Sequence, residues 1–283
     1  MCIFKLHIRN EALLLTALES KLSEMTFRFK YHFLLVAGLL FISSCSVAQS
    51  QSTAIDEGQK VLFVGNSYTY FWNLPHVVQG FAEEMDMPIT TYQSTAGGAN
   101  LGQHWRGAKG LESKSIIENG DYDIVVIQDH SMRSIQAPDS LMYYGELFGD
   151  LIKSTGAQPY VYMTWSRKWD PYMIETIQAE YTRLAERINA RIVPVGLAWQ
   201  RALEMRPDLP LYDDDGSHQS SLGTYLNACV FYGVITGKSP VGLPPRLISK
   251  DQHGEKLYLT IQSKENALFC QRVAAEIIRQ SID

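Results

Sequence analysis

Val61-Leu62-Phe63-Val64-Gly65-Asn66-Ser67-Tyr68 is the stretch on which the reading of this chain turns. Four apolar residues in a row, two of them β-branched, match a short strand buried on both faces, as inside parallel sheets. Gly65 then permits a tight turn, and Ser67 stands just past the strand end. Taken alone, a serine here reads as the cap of the helix that follows. A hydroxyl at a strand-to-helix turn is also where a nucleophile is presented.

The same punctuation repeats downstream. Short β-branched runs predict further strands over 89–94, 123–128, 158–165 and 190–196, after the first at 60–65. Helical patterns lie between them at 74–85, 111–118, 140–153 and 171–188. Such alternation predicts a parallel sheet with helices on both faces. Helices over 222–236 and 265–281 follow, separated by a Pro/Gly-rich stretch at 239–245 and a small hairpin within 246–261. With no internal repeat or linker, 60–283 reads as one domain. Ligands of open α/β sheets gather beyond the carboxyl ends of the strands. Asn66-Ser67, Ala96-Gly97-Gly98, Gln128-Asp129 and Trp165 therefore matter most.

Asp215-Gly216-Ser217-His218 adds a carboxylate three residues before a histidine, on a turn. That spacing lets the carboxylate hold one ring nitrogen and leave the other as a base. The run Asp213-Asp214-Asp215-Gly216 would also make an ordinary solvated loop. Paired glycines in Ala96-Gly97-Gly98-Ala99-Asn100 leave backbone N–H groups open to a ligand oxygen, as an oxyanion hole requires. A plain glycine turn explains them as well.

Taken together, in this order and at these strand ends, the three elements resemble the SGNH (GDSL-like) hydrolase superfamily over essentially all of 60–236. The resemblance implies a three-layer α/β/α sandwich with a five-stranded, flavodoxin-like parallel sheet. It further implies a serine esterase with Ser67 as nucleophile, His218 as base and Asp215 as its partner, working without a cofactor. The N–H groups of Ser67 and Gly98, the latter chosen over Gly97, would hold the oxyanion. One block departs from the family pattern. Where the family carries Gly-x-Asn-Asp after the third strand, this chain has Gln128-Asp129-His130-Ser131. Gln128 offers the amide donor on a longer stem and is the expected third oxyanion donor, with Asp129 or Ser131 as alternatives. An O-acetylated carbohydrate is the substrate expected by analogy. The rivals are a lysophospholipase or thioesterase acting on longer acyl chains, and a glycan-binding protein that keeps the fold without turnover.

Other features weigh less. Trp165 and Trp169 flank Arg167 beyond the fourth strand, where aromatics stack on sugars or simply pack. His104 suits a pocket rim or a packing role. A metal held by His104, His130 and His218 is discounted, because no local ligand spacing supports it. Across 283 residues, 46% hydrophobic and 19% charged, the net charge is −5 with no Lys/Arg run, so a nucleic-acid footprint is absent. Of Cys2, Cys45, Cys229 and Cys270, the last two read as buried thiols, with a single bridge as the alternative.

The N-terminal part reads as an address. Arg28 and Lys30 precede the apolar run 33–42, which is too short to span a bilayer comfortably, and Ser43-Ser44-Cys45 follow. Ile42-Ser43-Ser44-Cys45 resembles a bacterial lipobox, implying lipidation at Cys45 and an exported, membrane-anchored protein. Residues 25–45 are then the signal, with 46–59 a flexible tether. Met25 gives the better start, so 1–24 reads as a mis-called extension.

Overall fold

Alternate side chains of the central strands enter two separate cores. Val61 and Phe63 of β1 (Gln59–Gly65) join one buried cluster, and Leu62 and Val64 join the other. The same division separates Ile124 and Val126 from Val125 and Ile127 in β3 (Ile124–Ile127). A two-residue period with both faces apolar requires a layer of helices on each side. The computed structural model describes residues 58–250 and 253–282 and has this architecture.

Five strands run parallel in the order β2-β1-β3-β4-β5, with β2 at Ile89–Thr95, β4 at Gln158–Tyr162 and β5 at Arg191–Val193. The expected three-layer sandwich is therefore the observed fold. The helices are α1 (Ser67–Tyr70), α2 (Leu74–Glu84), α3 (Leu101–Trp105), α4 (Ser113–Asn119), α5 (Arg133–Gln136), α6 (Pro138–Ser154) and α7 (Met173–Ile188). They continue as α8 (Val195–Met205), α9 (Ser221–Thr236) and α10 (Lys264–Ile282). An antiparallel hairpin, β6 (Arg246–Lys250) with β7 (Lys256–Ile261), lies apart from the main sheet. Its Leu247 packs against Gly80 of α2, where a Cβ would come within 2.5 Å of the leucine side chain.

Helix α9 is apolar all round, and every residue from Leu222 to Ile235 is buried. Its one amide in the core, Asn227, is satisfied on both ends: Oδ1 accepts from Trp199 Nε1 at 2.6 Å, and Nδ2 donates to Tyr162 Oη at 3.1 Å. Cys229 and Cys270 are buried free thiols. The fifth strand is shorter than expected. It stops at Val193, and Val195 and Gly196 already belong to α8, a helix that the strand reading of 190–196 overran. Pro194 lacks the N–H to continue a ladder, and Val195, Ala198, Trp199 and Ala202 bury one helical face.

The sheet order reverses between β1 and β3, so the crevice for a ligand opens at the ends of those two strands. Among the described residues, no helix is long and apolar enough to cross a membrane. The signal, the tether and Cys45 lie outside the described residues.

Candidate active site

Asn66 caps α1: its backbone is extended (φ −132°), and its Oδ1 accepts from Tyr68 N at 3.1 Å. Its Nδ2 donates to Ala99 O at 2.8 Å and to Asp129 O at 3.4 Å, tying the end of β1 to the loops after β2 and β3. Because Asn66 holds the cap, Ser67 is the first helical residue and its hydroxyl is released from that duty.

That hydroxyl meets His218. Ser67 Oγ lies 2.8 Å from His218 Nε2, and His218 Nδ1 lies 2.5 Å from Asp215 Oδ2. Asp215 Oδ1 accepts in addition from the backbone N–H of Ser217 at 2.9 Å and of His218 at 2.8 Å. Burial pushes the Asp215 carboxyl up, but the His218 ring bond and these two N–H groups outweigh it and hold the group at about 2. An ionised Asp215 fixes the proton on Nδ1 and leaves Nε2 to accept from the serine. The imidazole is clamped by Phe71, stacked at 4.5 Å, and by the edge of Tyr68 at 5.4 Å.

A tight turn delivers the histidine. Gly216 takes a left-handed conformation (φ 63°), its N–H donates to Asp213 O at 2.9 Å, and Asp213 N donates to His218 O at 2.8 Å. Trp165 Nε1 holds Ser217 O at 3.0 Å, and Gln219 Nε2 donates to Tyr68 O at 3.0 Å. Gly98 also has positive φ (61°). The N–H groups of Ser67 and Gly98 form no hydrogen bond among the described residues, so both remain available as donors.

Gln128 is not placed as expected. Its side chain is fully buried, with Oε1 accepting from Asn66 N and from Thr69 Oγ1, each at 3.0 Å, and Nε2 donating to Asp129 O. Only this orientation gives Asn66 N–H an acceptor, so the carboxamide pins the serine turn from below instead of facing an oxyanion. Gln128→Ala is expected to leave the Asn66 N–H and the Thr69 hydroxyl buried without their partner. That costs about 1–3 kcal/mol for each group, and about 2–4 °C of melting temperature per kcal/mol in a domain of this size. A thermal melt checks this, with an unshifted midpoint contradicting the pinning role.

Of the alternatives, Asp129 is buried beneath the site. Burial pushes its carboxyl up to about 6, opposed by the N–H groups of Leu101 and His130 and by Arg133. Ser131 Oγ accepts from Arg167 Nη2 at 2.7 Å. His104 belongs to the interior and not to a pocket rim: Nε2 meets Gly65 O at 3.0 Å, and Nδ1 meets Ser113 Oγ at 2.6 Å. Desolvation pulls it down to about 4, against the bond to Gly65 and with Lys109 adding to the effect, so the ring is neutral. Trp165 is likewise buried, stacked between Tyr68 at 4.4 Å and Trp199 at 4.2 Å, and cannot receive a sugar. Trp169 is 68% exposed and rests against Gly216. Trp72, which sequence reasoning missed, is 49% exposed, left-handed (φ 53°), and donates from Nε1 to Gln219 O at 3.1 Å.

A five-stranded parallel sheet of this order, covered by helices on both faces, is the fold of solved SGNH hydrolases. A DUF4886 family protein from Bacteroides uniformis superposes with a TM-score of 0.64 at 16% identity, over 78% of this chain and 95% of that one. A candidate SGNH hydrolase from Slackia heliotrinireducens gives 0.53 at 23% identity, over 63% and 99%. A lipase/acylhydrolase from Enterococcus faecalis gives 0.51 at 14% identity, over 63% and 96%. No family model and no curated protein matches the chain.

Proposed function

We propose that the chain is an acyl-ester hydrolase acting through Ser67, His218 and Asp215. One observation carries this reading: the unbroken hydrogen-bonded line from Ser67 Oγ through the His218 ring to Asp215. His218 Nε2 takes the serine proton as Oγ attacks the ester carbonyl. The N–H groups of Ser67 and Gly98 donate to the oxyanion that forms. His218 then returns the proton to the departing alcohol, leaving an acyl-serine. Water attacks that ester with His218 again as base, releasing the acid and restoring Ser67. The cycle balances without a cofactor.

An O-acetylated carbohydrate is the substrate class. The exposed indoles of Trp72, hydrogen-bonded to Gln219 O, and Trp169, resting against Gly216, support it, because flat aromatic faces beside the catalytic turn stack on sugar rings. In a series of p-nitrophenyl esters, kcat/KM is expected to be highest for acetate and to fall with chain length. A rate that climbs toward octanoate would instead favour a long-chain lipase or thioesterase.

The protein is exported and held on a bacterial membrane through lipidated Cys45, a reading supported by the Ile42-Ser43-Ser44-Cys45 motif. Cys45→Ala is expected to release the domain to the soluble fraction or block processing, since two acyl chains anchor far better than one. Mass spectrometry showing an unlipidated mature terminus well past Cys45 would refute it.

A further inference from the structure

The chain carries a net charge of −5, yet Arg167 borders the Ser67–His218 pair without a carboxylate partner among the described residues, and Lys109 binds the loop that carries Gly98. Arg167 follows β4 and is half-buried. Its Nη1 donates to Tyr68 Oη and its Nη2 to Ser131 Oγ, and the guanidinium lies over the Tyr68 ring, 5.6 Å from its centroid. Tyr68 follows Ser67 in the chain and touches the His218 ring, so Arg167 borders the reacting pair. Lys109 lies by the loop after β2. Its Nζ donates to Gly97 O at 2.6 Å, the carbonyl of the same trans peptide unit as the Gly98 N–H assigned to the oxyanion, on the opposite side of that unit. Lys109 is held left-handed (φ 58°) between Gly107 and Gly110, a strained conformation for a lysine.

Neither cation is neutralised. Among the described residues, no carboxylate forms an ion pair with Arg167 or Lys109. Of the acidic groups nearby, Asp215 is engaged with His218, and Asp129 with two backbone N–H groups and with Arg133, at 4.0 Å; Asp170, Asp213 and Asp214 are exposed to solvent and form no ion pair with either cation among the described residues. Burial, with Arg133, Arg167 and Lys109 nearby, holds the His130 imidazolium below its usual range, which marks the convergence of positive charge there. A half-buried guanidinium fixed by two neutral hydroxyls keeps its positive charge uncancelled by them. Its other N–H groups lack partners among the described residues and keep the planar fork that carboxylates fit.

We infer that this mouth reads an anionic group on the substrate, so that the preferred ester is borne by an acidic sugar whose carboxylate is held by Arg167, with Lys109 adding to the positive field. The inference rests on the esterase reading and narrows its substrate. The sugar, as opposed to an anionic lipid, follows from Trp72 and Trp169, whose solvent-facing indoles suit a pyranose ring better than an acyl tail.

Calorimetric titration of the Ser67→Ala protein separates binding from turnover. Trigalacturonate is expected to bind at least tenfold more tightly than maltotriose, and to weaken as salt is raised. Arg167→Gln, which keeps hydrogen-bonding capacity without charge, is expected to erase most of that preference and Lys109→Met a smaller part, while Arg167→Lys retains part of it. Equal affinity for the two trisaccharides, or a preference untouched by both charge removals, would overturn the inference. So would tight binding of lysophosphatidylglycerol micelles with none of trigalacturonate. Charge-dependent trigalacturonate binding by a wild-type protein inert toward every ester would leave the acidic-sugar site standing and remove the esterase reading instead.

Discussion

Ser67→Ala is expected to abolish ester turnover and covalent labelling by a fluorophosphonate, with the melting temperature held within a few degrees. The effect is large because the nucleophile, its base and the orienting carboxylate act as a unit. Removing the nucleophile removes nearly all the covalent chemistry, roughly 10⁶-fold in kcat for a serine hydrolase of known energetics. Stability is spared for a reason visible in the turn. The helix cap, the tie to Ala99 O and the tie to Asp129 O all belong to Asn66. Ser67 Oγ bonds only to the His218 ring among the described residues, so its loss orphans no buried donor. Undiminished hydrolysis by the purified variant, read against p-nitrophenyl acetate, would end the proposed mechanism.

His218→Ala is expected to be nearly as damaging, because among the described residues no other base is bonded to Ser67 Oγ. Asp215→Asn is expected to cost less, roughly 10²- to 10⁴-fold. Oδ1 must stay on the Ser217 and His218 N–H groups, so an asparagine would turn its NH₂ toward Nδ1 and favour the wrong imidazole tautomer. The pH profile follows from the same bonds. Asp215, held at about 2, remains a carboxylate through any working range, so an acid limb of kcat/KM does not come from loss of this carboxylate. The folded-state value of Asp215 is depressed, so its bonds to the turn are present at neutral pH and weaken only as pH falls toward that value. The carboxylate is half exposed, which keeps this stability contribution small. A wild-type rate for His218→Ala, or an acid limb that vanishes in Asp215→Asn while the alkaline side is unchanged, would contradict these assignments.

Much of the architecture was legible locally. The four apolar residues before Gly65 and the run Ile124-Val125-Val126-Ile127 call for strands buried on two faces, and the helical periods between them call for crossovers. The i, i+3 spacing of Asp215 and His218 already places a carboxylate within reach of a ring nitrogen, a property of the turn alone. What the sequence by itself determined about this protein is therefore its layers, its strand ends and the short-range half of its site. Tertiary structure decided the rest. Whether Ser67 was a cap or a nucleophile depended on Asn66 taking the cap and on His218 arriving from 151 positions away. Gln128 turned inward because Asn66 N–H, 62 positions away, had no other acceptor. Trp165 vanished into a stack with Tyr68 and Trp199 while Trp72 and Trp169 stayed in solvent. The physical reason is common to all three. Periodicity is a property of neighbouring residues, whereas the partner a buried polar or aromatic group adopts depends on which donors, acceptors and surfaces other strands leave unsatisfied once the sheet has assembled.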